Sequence, residues 1–118
     1  MDPAPHLSIE LIRPRDGKDV VLVLVGELDP LSGPSLLARV DEAVEGAPEG
    51  RVVLDLADLA FIDSSGLRAL VDVHSNLKRQ GTRLVLRRPS RPALRLLQIT
   101  SLDVVFDLEG PFPIDDGP

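Results

Sequence analysis

The sequence predicts one α/β domain: a mixed, mostly parallel β-sheet packed by α-helices, in the order β-β-α-β-α-β-α-β. Three observations carry this. The chain has 118 residues, 43% of them hydrophobic and 27% charged, which is the size and composition of one ordinary globule. Two strand-like runs flank an Asp-Gly turn near the start, a hairpin signature that makes the first pair antiparallel. Strand-like and helix-like stretches then alternate, as in sheets whose parallel strands are joined by crossover helices.

Residues 7–12 (LSIELI) alternate between Pro5 and Pro14 and read as a half-buried strand. Residues 13–19 (RPRDGKD) form the turn. Residues 20–25 (VVLVLV) are apolar throughout, as expected of a central strand covered on both faces. Ser32 reads as an N-cap and Pro34 as a first-turn proline, opening a helix with Leu36, Leu37, Val40, Ala43 and Val44 inward. Gly46 and Pro48 stop it. Residues 51–56 (RVVLDL) make a third strand. From Ser64 the period is helical again, with Leu67, Leu70, Val71, His74 and Leu77 on one stripe until Gly81. A strand over 82–86, a short helix over 92–98 and a last strand over 104–108 complete the domain, expected to span 7–108. Residues 1–6 and the acidic, Pro-rich 109–118 read as flexible extensions.

Composition narrows the functions. There is no cysteine, so disulfides, thiolate catalysis and Cys-ligated metals are excluded. The net charge is −6 and the aromatics are Phe61, Phe106 and Phe112 alone, which disfavours nucleic acid and anionic lipid as partners. The longest aliphatic run, residues 20–25, falls far short of the roughly 20 residues that span a bilayer. The first ten residues lack the pattern of a signal peptide, so a cytoplasmic protein is expected. Five arginines without an acid lie in residues 83–95, and five acids without a base in residues 103–118. These blocks read either as a solvated face beside a terminus or as a basic partner-facing patch with a neutralising tail.

Catalysis finds little support. The histidines are His6 and His74, and His74 lies ten residues past Ser64, about 15 Å along one helix and out of reach as its base. There is no Gly-x-Ser-x-Gly elbow and no phosphate-cradling glycine loop. Neither a metal site nor a cofactor is expected, and the chain reads as a non-enzyme. The informative stretch is Phe61-Ile62-Asp63-Ser64-Ser65-Gly66-Leu67, at a strand-to-helix junction. Two hydroxyls there stand at a helix start, where unpaired N–H groups and the dipole favour an anion. Capping by Ser64 or Ser65 would satisfy the same string structurally. Asp29 ends an inner strand on the same carboxyl edge, so two acids and two hydroxyls share one surface. A phosphorylatable, partner-binding face suits this set better than an active site.

Gly26-Glu27-Leu28-Asp29, Leu54-Asp55-Leu56 and Phe61 to Leu67, taken together, resemble the STAS domain of anti-sigma factor antagonists. The resemblance covers residues 7–108 in element order. It implies partner switching in transcription regulation, such as a stress response. The unphosphorylated protein would bind an anti-sigma factor with serine-kinase activity and so release the sigma factor. That kinase would inactivate it by phosphorylating the first serine of the Asp-Ser-Ser-Gly motif, Ser64, and a phosphatase would restore it. Asp29, Asp63, Ser64, Ser65 and Gly66 are the partner-binding residues the resemblance implies. Family members commonly end in a further helix, which residues 110–118 (GPFPIDDGP) cannot form. Two other readings share the fold class: an accessory STAS subunit of a lipid-transport ATPase complex, and a receiver-like phosphorelay domain using Asp55.

Overall fold

The structure, a computed structural model, describes residues 6–15, 17–45 and 50–114. Alternation and turn chemistry give the antiparallel pair β1 (Leu7–Ile12) and β2 (Val20–Leu28). Helix α1 (Gly33–Glu45) crosses to β3 (Arg51–Ile62), α2 (Ser64–Arg79) to β4 (Arg83–Arg87), and α3 (Arg91–Ile99) to β5 (Asp107–Glu109). A 3-10 turn, Leu102–Val104, precedes β5. The sheet order is β1-β2-β3-β4-β5, with every pair after the first parallel. The central strand is therefore β3, and β2 lies beside it.

This order never reverses, so successive right-handed crossovers fall on one face of the sheet. The main core bears this out. Leu22, Leu24, Leu54, Leu56, Leu84 and Leu86 meet Leu36 and Val40 of α1, Leu70 and Leu77 of α2, and Leu97 of α3 in one cluster. Within α2, Ala69 and Val73 are also buried, while His74 stands its ring edge-on to Phe106 at 5.3 Å between centroids.

Among the described residues no helix covers the opposite face, which corrects the expectation for residues 20–25. Val25 is 44% exposed, and Val21, Val53 and Val85 form a small second cluster with Val23. Strand alternation puts Arg51, Arg83 and Arg87 on that face. Arg51 pairs with Asp19 at 2.7 Å and Glu109 at 3.7 Å, Arg87 with Glu109 at 3.0 Å, and Arg83 with Asp107 at 2.8 Å. The hydrogen bond from Arg51 holds the Asp19 carboxyl below its ordinary value. Arginine stems can shield apolar surface while their heads stay wet. Two arginines of the basic 83–95 block, Arg83 and Arg87, are thus paired within the sheet with acids of the following strand.

Two boundaries differ from the sequence reading in a way that shapes the site. β2 continues to Leu28 and β3 to Ile62, bringing Leu28 beside Ile62. The register slips between Val23 and Val25 and again between Gly26 and Glu27. Gly26 has φ +118°, and a Cβ there would strike the His6 carbonyl, which accepts from Glu27 N–H at 2.8 Å. Such slips break strict alternation, so residues 57–62 do not look like strand. The last strand begins at Asp107, because Leu102–Val104 turn before buried Phe106. The expected stop at Gly46 and Pro48 and the ends 1–5 and 115–118 lie outside the described residues. Glu109 closes β5, so the expected 108/109 boundary falls inside that strand, and the Ile114 carbonyl accepts from Arg91 at 2.6 Å.

Candidate functional site

The extended β2 and β3 deliver two turns to the carboxyl edge of the sheet. After β3, Asp63 is the N-cap of α2: its Oδ1 accepts from Gly66 N–H at 2.9 Å, and its carbonyl accepts from Leu67 N–H at 2.9 Å. This corrects the expectation that Ser64 or Ser65 caps the helix. They are its first two residues, both exposed, and no hydrogen bond holds either hydroxyl among the described residues. A carboxylate at the cap accepts from the orphan amides as a hydroxyl would, and adds a negative charge that the helix dipole favours. Relieved of capping, the serine hydroxyls face outward.

Gly66 is buried for a steric reason. A Cβ there would run into the Leu28 carbonyl, the oxygen that also accepts from Asp63 N–H at 3.4 Å. Glycine lets the first turn of α2 press against the end of β2. Gly66→Ala is expected to destabilise the domain by about 1–3 kcal/mol, because the obstruction is backbone and cannot swing aside. An unchanged denaturation midpoint would contradict this.

After β2, Asp29 folds its own turn. Its Oδ1 accepts from Leu31 N–H and Ser32 N–H, both at 3.0 Å. Ser32 precedes α1 as expected, but its buried hydroxyl turns back, 2.9 Å from the Glu27 carbonyl and 3.1 Å from Asp29 Oδ1. The backbone hydrogen bond from Ser32, more than any other contact, holds the Asp29 carboxyl below its ordinary value of 3.8. A lowered folded-state pKa means that its stabilising effect is full above the unfolded value and is lost as pH falls through the folded one. Asp29→Asn keeps an acceptor but no charge. Its stability deficit should therefore be greatest above about pH 4 and should close in stronger acid. A pH-independent deficit in thermal melts would contradict the turn role.

Asp29, Pro30, Gly33, Pro34 and Leu37 line one side of an open depression, and Ser64, Ser65, Arg68, Ala69 and Asp72 line the other. The structure thus brings Asp29, Ser64 and Ser65 together, with Asp63 half-buried at the cap and Gly66 buried beneath. Sequence reasoning missed Arg68 and Asp72, which pair at 3.3 Å. The available signal was their spacing, four and eight residues beyond Ser64 on one helical stripe.

Asp55 does not fit a receiver-like role. Its side chain is only 8% exposed, Oδ2 lies 2.5 Å from Arg88, and Oδ1 accepts from Ala57 N–H at 3.1 Å. Both oxygens are engaged where a phosphoryl donor would have to reach. The hydrogen bond to Asp55 correspondingly raises the Arg88 pKa. No group of three His, Cys, Asp or Glu side chains among the described residues could hold a metal, and no helix there is long and apolar enough to cross a membrane.

The site is thus the carboxyl edge of a small α/β domain, with two exposed serines at a helix start beside a shallow depression. Residues 13–109 match the family described as "Mlab, STAS domain". The anti-sigma-B factor antagonist of Listeria monocytogenes is 32% identical over 107 residues, covering 88% of this chain and 90% of that protein. The chain belongs to the STAS domain family of anti-sigma factor antagonists. Its fold is also that of the anti-sigma factor antagonist SpoIIAA in its unphosphorylated form, with a TM-score of 0.70 at 22% identity, covering 87% and 89% of the two chains. The phosphorylated form of the Bacillus SpoIIAA gives a TM-score of 0.64 at 24% identity, covering 87% and 92%.

Proposed function

We propose that the unphosphorylated protein binds an anti-sigma factor that is also a serine kinase, frees the sigma factor, and is switched off by phosphorylation of Ser64. The observation that carries this reading is the exposed, unbonded Ser64 hydroxyl at the first position of α2, with the cap supplied by Asp63 instead. In the proposed step Ser64 Oγ attacks the γ-phosphorus of ATP, the bond to the β-phosphate oxygen breaks, and ADP leaves. The hydroxyl proton passes to a base on the kinase. A phosphatase returns the hydroxyl by hydrolysis. Asp29, Ser65 and the depression beside them form the rest of the docking face, while Asp63 and Gly66 hold the helix start in place. The protein itself performs no chemistry in this scheme and requires no cofactor. That SpoIIAA has been solved in both phosphorylated and unphosphorylated forms supports the reading.

A pull-down followed by intact-mass measurement with and without ATP tests it. The expected result is a captured kinase-type anti-sigma factor and one added phosphate, mapped to Ser64. Ser65→Ala should still accept the phosphate. Phosphate mapped to another residue would contradict the proposal. Co-purification of a transport ATPase in place of a small kinase would favour the accessory-subunit reading.

A further inference from the structure

Among the described residues lining the depression beside Ser64, Arg68 is the one basic side chain, set against Asp29 and Asp72. Asp63, half-buried at the cap, is a third acid nearby. Arg68 pairs with Asp72, four residues further along α2, through a contact whose side chains are 78% and 43% exposed. That pair is weak for two reasons. Exposed ion pairs contribute little. Its polarity is also the less favourable one, with the cation nearer the helix start and the anion beyond it. The reverse arrangement, anion at i and cation at i+4, is what Ser64 and Arg68 would become if Ser64 carried a phosphate. Long helical side chains also lean toward the helix N-terminus and cover the preceding turn, which is where Ser64 lies.

We infer that Arg68 is the internal receptor for the Ser64 phosphate: on modification its guanidinium leaves Asp72 and pairs with the phosphate one turn back. This rests on the reading of Ser64 as the phosphoacceptor. The exchange does more than neutralise part of the new charge. It strips Asp72 of its partner, so the change at Ser64 is felt as bare negative charge about 12 Å along the helix. A partner seated across the α1–α2 depression would then meet an altered surface over two turns, not at one atom.

The test uses the full chain with phosphoserine installed at position 64 by genetic encoding, so no kinase is needed, and follows the phosphate by phosphorus NMR through its second ionisation, ordinarily near pH 6. A paired guanidinium favours the dianion. The second pKa should therefore rise by about 0.15–0.4 in Arg68→Ala, recover part of that in Arg68→Lys, and stay at or below the wild-type value in Asp72→Asn. Circular dichroism should show all three variants folded, since both side chains are exposed. An unchanged value in Arg68→Ala, or a rise in Asp72→Asn, would overturn the inference. Either result would leave the kinase reading standing, whereas failure of the kinase to modify Ser64 would defeat that reading and remove the trigger of the exchange, with the titration of the encoded phosphoserine unchanged.

Discussion

Leu70→Ala is expected to destabilise the domain by about 2–5 kcal/mol, the range for emptying a fully enclosed aliphatic site. Leu70 has no exposed surface and sits in the main cluster, among residues drawn from the sheet and all three helices. The cavity would open between α2 and the sheet, where neighbouring leucines come from separate elements and cannot close in together. Urea unfolding should show a lower midpoint with little change in slope. Ile99→Ala makes the control, because Ile99 is 73% exposed, and such surface changes usually stay within about 0.5 kcal/mol. Equal midpoints for Leu70→Ala and the wild type would contradict the placement of α2 on the sheet.

Ser64→Glu is expected to weaken binding to the anti-sigma factor by roughly 30-fold or more, with the stability of the domain itself little changed. Two electrostatic effects oppose each other at this residue. Negative charge at the first position of α2 is welcomed by the helix dipole, an effect of about 0.3–1 kcal/mol. An interface built over a neutral hydroxyl must instead desolvate the charge beside Asp63 and Asp29, and spoiling such polar complementarity costs about 2–5 kcal/mol. The interface penalty is the larger, and at 1.4 kcal/mol per tenfold it sets the expected loss. Ser64→Ala should bind as the wild type does and resist the kinase. Thermal melts of the two variants separate the effects, since only binding should differ strongly.

Much of the fold can be read from residue order alone, for definite reasons. The helices at Gly33–Glu45 and Ser64–Arg79 carry long, regular apolar stripes with cap and stop residues at their ends. The hairpin follows from alternation around a turn. Strand continuity past Leu56 is not legible, because the register slips beside Gly26 and Asp58 interrupt the pattern, and only pairing with β2 makes residues 57–62 a strand. Nor does local pattern reveal that the described helices all lie on one face of the sheet. That follows from the sequential strand order, and the same valine runs would suit a sheet covered twice. At the site, Asp63, Ser64, Ser65 and Gly66 stand out together, but their division of labour does not. A Ser, an Asp or a Gly can each begin a helix, and only the Asp63 to Gly66 hydrogen bond and the Leu28 carbonyl assign cap and spacer. Arg68 and Asp72 escape notice because a charged pair on an exposed helical stripe is the commonest of surface patterns.

The central claim is that one phosphate on Ser64 decides whether the partner binds. Titration calorimetry of the anti-sigma factor with the unphosphorylated protein and with the same protein phosphorylated at Ser64 tests it most directly. The expected result is tight binding of the first and an affinity for the second lower by roughly 30-fold or more, with both forms melting at similar temperatures. Equal affinities for the two forms would contradict it.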